Sequence, residues 1–124
     1  MSGNKTFLDS NMIIYLSQGK ITVDDLICDE NQYFISVITY MEVLGYKFDS
    51  LYDEIYLKSL LEMFEIIYID KTISHKVIVL RKKYKIKLPD AIICATTLEN
   101  DAVLYTNDKQ LKQIKELNIE CKDA

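Results

Sequence analysis

Apolar and polar positions fall into alternating blocks along the chain, and each block carries its own punctuation. Thr6-Phe7-Leu8 is a short apolar run that arrives at Asp9. Ser10 and Asn11 interrupt it, and Met12 to Leu16 follow with helical potential, so this stretch predicts strand, acidic turn and a helix capped by Asn11. A short helix is expected over 22–27. Residues 33–38 are aromatic and β-branched, the composition of a largely buried strand. Thr39-Tyr40-Met41-Glu42 has the form of a capping box and predicts a helix to about Gly45 or Tyr46. Ser50 opens a helix to about Phe64, with Leu57, Leu61 and Phe64 on one face and Ile55, Leu60 and Met63 widening the stripe.

The second half repeats the alternation. Residues 65–70 predict a strand, and Thr72 opens a helix in which Ile73, Val77, Leu80 and Tyr84 recur at helical spacing. Pro89 suits the first turn of another helix, whose apolar face is Ala91, Ile92, Ala95 and Leu98. A strand over 102–106, a basic helix from Lys109 to about Glu116 and a short strand over 118–121 complete the pattern. Strands and helices in alternation imply right-handed crossovers and a mainly parallel sheet of four to five strands between helices. The fold class is therefore α/β, a single domain over 1–124. Strand order does not follow from the pattern.

Composition narrows the possibilities. Hydrophobic residues make up 49% and charged residues 27% of the 124 residues, ordinary for a globular domain. One Pro and three Gly leave little room for linkers. No apolar run reaches the roughly 18 residues that span a bilayer, and the start has no signal-peptide layout. Cys28, Cys94 and Cys121 are odd in number and lack metal-type spacing, which predicts reduced thiols and a cytoplasmic protein. A net charge of −4 argues against coating nucleic acid by bulk attraction, though not against a nucleic-acid enzyme.

The candidate chemistry lies in acids at element starts: Asp9, Glu42, Asp90 and Asp108. Each has a plainer role available. Glu42 fits the capping box, Asp108 a helix cap, Asp90 a first turn and Asp9 a turn. Asp70 is of the same kind and is assigned to the turn, with Thr72 as the cap. In a parallel sheet the strand ends share one edge, so Asp9, Glu42 and Asp108 are expected to meet there; Asp90 is the least constrained. Converging carboxylates repel and raise one another's pKa. A divalent cation compensates, and carboxylate oxygens without His or Cys favour Mg²⁺ or Mn²⁺ over zinc. His75, the only histidine, is read as a surface or core residue.

These residues resemble a PIN domain, specifically the small VapC-type toxins of toxin–antitoxin pairs. The resemblance runs through Leu8-Asp9-Ser10-Asn11 with Ile14-Tyr15, Thr39-Tyr40-Met41-Glu42, Leu88-Pro89-Asp90-Ala91-Ile92-Ile93 and Tyr105-Thr106-Asn107-Asp108. It implies that Asp9, Glu42, Asp90 and Asp108 form a metal-binding, catalytic cluster, supported by Ser10, Asn11, Thr106 and Asn107 through hydrogen bonds. It implies a metal-dependent endoribonuclease acting on single-stranded or loop RNA, a cognate antitoxin and a homodimer, for which Tyr52 and Tyr56 offer a surface unless that helix is buried. Lys85, Lys87, Lys109 and Lys112 are the cations expected near the substrate, each equally readable as a solvated helix end.

Two other classes compete. A receiver-like signalling domain also gathers acids around Mg²⁺, but it requires an acidic pair where this chain has Leu8-Asp9-Ser10. A non-catalytic PIN-like RNA-binding or scaffold protein would not need all four acids. Phosphate-loop and dinucleotide folds are excluded by the absence of a glycine-rich loop.

Overall fold

The protein was analysed as a computed structural model that describes residues 5–22, 24 and 32–121. The helix expected over 22–27 falls largely outside these residues, as does Cys28. Five strands, β1 (Lys5–Leu8), β2 (Gln32–Ser36), β3 (Glu65–Ile67), β4 (Val103–Thr106) and β5 (Asn118–Cys121), form one sheet in the order β3-β2-β1-β4-β5, with every pairing parallel. The helices are α1 (Ser10–Ser17), α2 (Val37–Leu44), α3 (Leu51–Leu61), α4 (Lys71–Lys83) and α5 (Leu88–Glu99). The expected α/β class and parallel sheet are those observed.

β1 is the axis of the core because its successive side chains point to opposite faces. Phe7 packs with Ile73, Val77 and Leu80 of α4, with α5 and with Leu104. Leu8 packs with Met12, Ile13 and Leu16 of α1, Val43 of α2, and Leu57, Leu60 and Leu61 of α3. Covered on both sides, the central strands bury apolar Phe7, Leu8, Ile35 and Leu104, with Thr6, Ser36 and Thr106 as buried polar residues among them.

Helix starts depart from expectation in three places, each where several cap-forming side chains crowd together. Asp9, not Asn11, caps α1 by accepting from the Met12 N–H at 3.0 Å. Ser36, not Thr39, caps α2 by accepting from the Ile38 N–H at 3.2 Å. The chain therefore turns at the end of β2 itself, Thr39 is buried inside the helix, and Glu42 is released from any capping box. Asp70, not Thr72, caps α4 by accepting from the Ile73 N–H at 2.8 Å. Ser50 and Pro89 act where expected. The basic helix expected over 109–116 is a 3₁₀ turn, Lys109–Gln113, ended when Leu111, Ile114 and Leu117 dock into the core. Ile55 in α3 and Met63, just beyond its end at Leu61, are exposed, so the buried stripe is narrower and the helix shorter than predicted. His75 is exposed, whereas Cys94 is buried.

Candidate metal centre

The sheet order places a reversal at β1, where the chain proceeds to β2 on one side and later to β4 on the other. The carboxyl ends of strands at such a point form a crevice. Asp9 follows β1 directly, Asp108 stands two residues beyond the neighbouring β4, and Glu42 projects from the helix that follows β2. Asp90 arrives by a different route. α5 returns the chain to the start of β4, so its first turn, which carries Asp90, opens at the carboxyl edge of the sheet.

Asp9 is the anchor, only 7% exposed. One carboxylate oxygen accepts from the Met12 N–H, and the other accepts a short hydrogen bond from the Thr106 hydroxyl. The same Thr106 oxygen accepts from the Asp108 N–H at 3.0 Å, which couples the exits of β1 and β4. Asp108 Oδ1 in turn accepts from the Gln110 N–H at 2.9 Å and caps the 3₁₀ turn. Glu42 Oε1 accepts from the Ser10 hydroxyl at 2.6 Å, joining α1 to α2 across the crevice.

The charges of these groups act on one another. Burial pushes Asp9 above its ordinary value; the Thr106 and Met12 hydrogen bonds oppose this, and the Asp90 and Asp108 charges add to it. Asp90 is raised by burial, then by Asp108 and Glu42, while Lys87 pulls it back. Cys94 lies one turn beyond Asp90 on the same face of α5. Burial, followed by the Asp90, Asp9 and Asp108 charges, pushes its thiol up to about 12. Asp9 and Asp90 thus each feel the charge of Asp108, Asp9 also feels that of Asp90, and Glu42 acts on Asp90.

Of the supporting residues, Ser10 and Thr106 touch acids directly. Asn107 instead donates to the Tyr15 hydroxyl at 2.8 Å, tying the β4 exit to α1. Asn11 is exposed and makes no side-chain hydrogen bond with the described residues. Sequence reasoning assigned no role to Tyr15 or Cys94, although the four-residue offset from Asp90 to Cys94 is a signal that could have been read.

Among the described residues, no three His, Cys, Asp or Glu side chains form a ready-made cage for an ion. Asp9 and Glu42 are turned toward hydroxyl and amide donors, and mutual repulsion opposes closer approach. The donor set nevertheless fits one class of ion. Mg²⁺ keeps several waters and takes only one or two carboxylates alongside substrate phosphates, whereas a structural zinc site would need thiolates or imidazoles.

Comparison with known proteins agrees with this architecture. The PIN domain family matches residues 6–117. A toxin–antitoxin complex from Klebsiella pneumoniae contains a chain 34% identical, with 90% of this chain and 94% of that one covered and a TM-score of 0.77. VapBC2 from Rickettsia felis, bound to a DNA fragment from its promoter, gives 22% identity, 96% and 99% coverage, and a TM-score of 0.85. VapBC-1 from nontypeable Haemophilus influenzae gives 23% identity, 94% and 97% coverage, and a TM-score of 0.75. The search of curated proteins finds no match.

Proposed function

The chain belongs to the PIN domain family, with the VapC-type toxins as its structural kin, and from that premise we propose that it is a metal-dependent endoribonuclease, the toxin of a toxin–antitoxin pair. The observation that carries the proposal is a buried Asp9 at the sheet reversal with the Asp90 and Asp108 charges acting on it. Mutually repelling acids in a crevice are costly for stability, and a dication offsets that cost.

In this reading Asp9 and Asp90 hold Mg²⁺ or Mn²⁺. Glu42 ligates or orients the attacking water, and Asp108 acts on a second ion or through water. When bound, the metal supplies polarisation of the scissile phosphate and a lowered pKa for the attacking water. The protein's own groups set the geometry. Thr106 holds the Asp9 carboxylate and the Asp108 backbone at once, and Ser10 holds Glu42. The RNA is single-stranded or a loop, where phosphates and bases are accessible.

The antitoxin partner is supported by the relatives' occurrence in toxin–antitoxin complexes. A homodimer is supported by the exposed apolar side chains of α3, where Tyr52 is 81% and Tyr56 49% exposed, excluding the alternative of a fully buried helix. None of the described helices is long and apolar enough to cross a membrane.

The test is cleavage of structured RNAs with Mg²⁺, with EDTA, and with Asp9→Asn or Asp90→Asn. Cleavage should require the metal and both acids. Undiminished cleavage by either variant would overturn the mechanism, and specific RNA binding without any metal-dependent cleavage would favour a non-catalytic RNA-binding protein.

A further inference from the structure

The end of α1 is built so that one of its tyrosines is fixed in place. Gly19 adopts φ 74°, a left-handed conformation that a side chain would strain. The reversal there carries the two hydrogen bonds of a Schellman motif: the Gly19 N–H donates to the Leu16 carbonyl at 3.2 Å, and the Lys20 N–H to the Tyr15 carbonyl at 3.0 Å. Such a motif folds the residue after the glycine back over the last helical turn. Here that residue is Lys20, whose ammonium stands 5.4 Å from the centre of the Tyr15 ring. The ring also packs against the apolar cluster that contains Leu8, Met12 and Leu16. Tyr15 is thus held by packing, by a cation–π contact and by its own backbone.

What the fixed hydroxyl holds is the exit of β4. Helical side chains lean toward the helix N-terminus, and α1 begins beside Asp9 at the carboxyl edge of the sheet. There the Tyr15 hydroxyl accepts from Asn107 Nδ2 at 2.8 Å. Asn107 stands between two residues of the centre. Thr106 is tied to Asp9 through its hydroxyl, and the Asp108 N–H is tied to Thr106. Those bonds pin the exit at one point, Thr106. The bond from Asn107 to Tyr15 pins it at a second, so the segment that carries Asp108 cannot swing about the first.

We propose that Tyr15 is a positioning residue of the metal centre: through Asn107 it locks the 106–108 exit of β4 and so presents the Asp108 carboxylate to a divalent cation. This rests on the metal-dependent nuclease reading and deepens it. The family resemblance ranked Asn107 with residues that hydrogen-bond the acids, whereas its partner is a hydroxyl outside the acidic cluster, on a different element. The supporting shell of the centre therefore extends into the body of α1. The charge of Asp108 acts on both Asp9 and Asp90, so displacement of this exit is felt at each of them.

The experiment is titration of the full chain with Mn²⁺ in the absence of RNA, the free ion being read by electron paramagnetic resonance. Tyr15→Phe keeps the ring, its packing and the Lys20 contact, and removes only the hydroxyl. It should weaken Mn²⁺ binding by about 10-fold, the lower end of the effect of outer-shell partners on metal affinity. Asn107→Ala should do the same, and the Tyr15→Phe/Asn107→Ala double variant should be no weaker than either single one, because both remove one bond. Ser50→Ala removes a cap that none of the centre's hydrogen bonds involves. It should lower the thermal midpoint yet bind Mn²⁺ as wild type does, which separates positioning from general stability. Wild-type affinity in Tyr15→Phe overturns the proposal and leaves the nuclease reading standing. Losses that multiply to about 100-fold in the double variant overturn the route through Asn107. Absence of Mn²⁺ binding by wild type overturns the metal-centre reading and the proposal with it.

Discussion

Thr106→Val is the most informative perturbation of the centre. Thr106 is fully buried, its hydroxyl donates to Asp9 Oδ2, and its oxygen accepts from the Asp108 N–H. Valine keeps the shape and removes both bonds. A hydrogen bond to a charged group contributes about 1.5–3 kcal/mol and a neutral one about 0.5–1.5 kcal/mol. Asp108 is only half-buried, so water recovers part of the second bond. The net expectation is a loss of about 2–3 kcal/mol at pH 7, or roughly 10 °C in thermal midpoint for a domain of this size.

The pH dependence gives the prediction its sign. Burial already raises Asp9 above its ordinary 3.8, and the Thr106 bond opposes that rise. A native acid with a raised pKa holds its proton to higher pH than the unfolded chain does. Its favourable contribution is present at low pH and is lost as pH climbs from the unfolded value through the folded one. Removing Thr106's hydroxyl raises the folded value further. The deficit of Thr106→Val should therefore be small when Asp9 is protonated and should open as pH rises through the Asp9 titration. Urea unfolding at a series of pH values, with Asp9→Asn and the double variant closing a cycle, measures this directly. A loss below about 0.5 kcal/mol, or one of equal size at all pH values, would refute the argument.

Other expectations follow from the same geometry. Mg²⁺ or Mn²⁺ should raise the thermal midpoint at neutral pH, and Asp90→Asn should abolish most of that rise while being neutral or slightly stabilising without metal, because burial and the Asp108 and Glu42 charges already disfavour its ionised form; scanning fluorimetry reads both, and a full metal response in the variant would contradict the site. Cys94, with its thiol pushed up to about 12, should resist alkylation at pH 8 in the native protein and react only on unfolding, as mass spectrometry of the labelled peptides would report. Leu104→Ala, at a fully buried position on β4 beside Phe7, should cost about 2–5 kcal/mol in urea unfolding, and a cost under about 1 kcal/mol would contradict the described core.

Much of this protein was already determined by its local sequence. Period and punctuation delimit the strands and most of the helices, because burial on a sheet or a helix face imposes spacings of 2 or 3.6 residues within a single segment. Asp9 and Asp108 could be set at the carboxyl edge of the sheet from sequence because Asp9 directly follows β1 and Asp108 comes two residues after β4. What local reasoning misjudged was choice among neighbours. Asp9, Ser10 and Asn11 can all cap a helix, as can Ser36 and Thr39, or Asp70 and Thr72, and the winner depends on where packing bends the backbone. Glu42 shows the consequence: read as half of a capping box, it is instead held by Ser10 from another helix.

The tertiary structure alone decided that the acids stand at one edge of the sheet. Only the order β3-β2-β1-β4-β5 sets β1 beside both β2 and β4, and only the antiparallel return of α5 brings Asp90 to the same edge. Those are relations between segments up to nearly a hundred residues apart, fixed by which apolar faces cover one another. The hydroxyl of Thr106 reaching Asp9 is such a contact. No spacing along the chain encodes it, because the two residues become neighbours only when parallel strands pair.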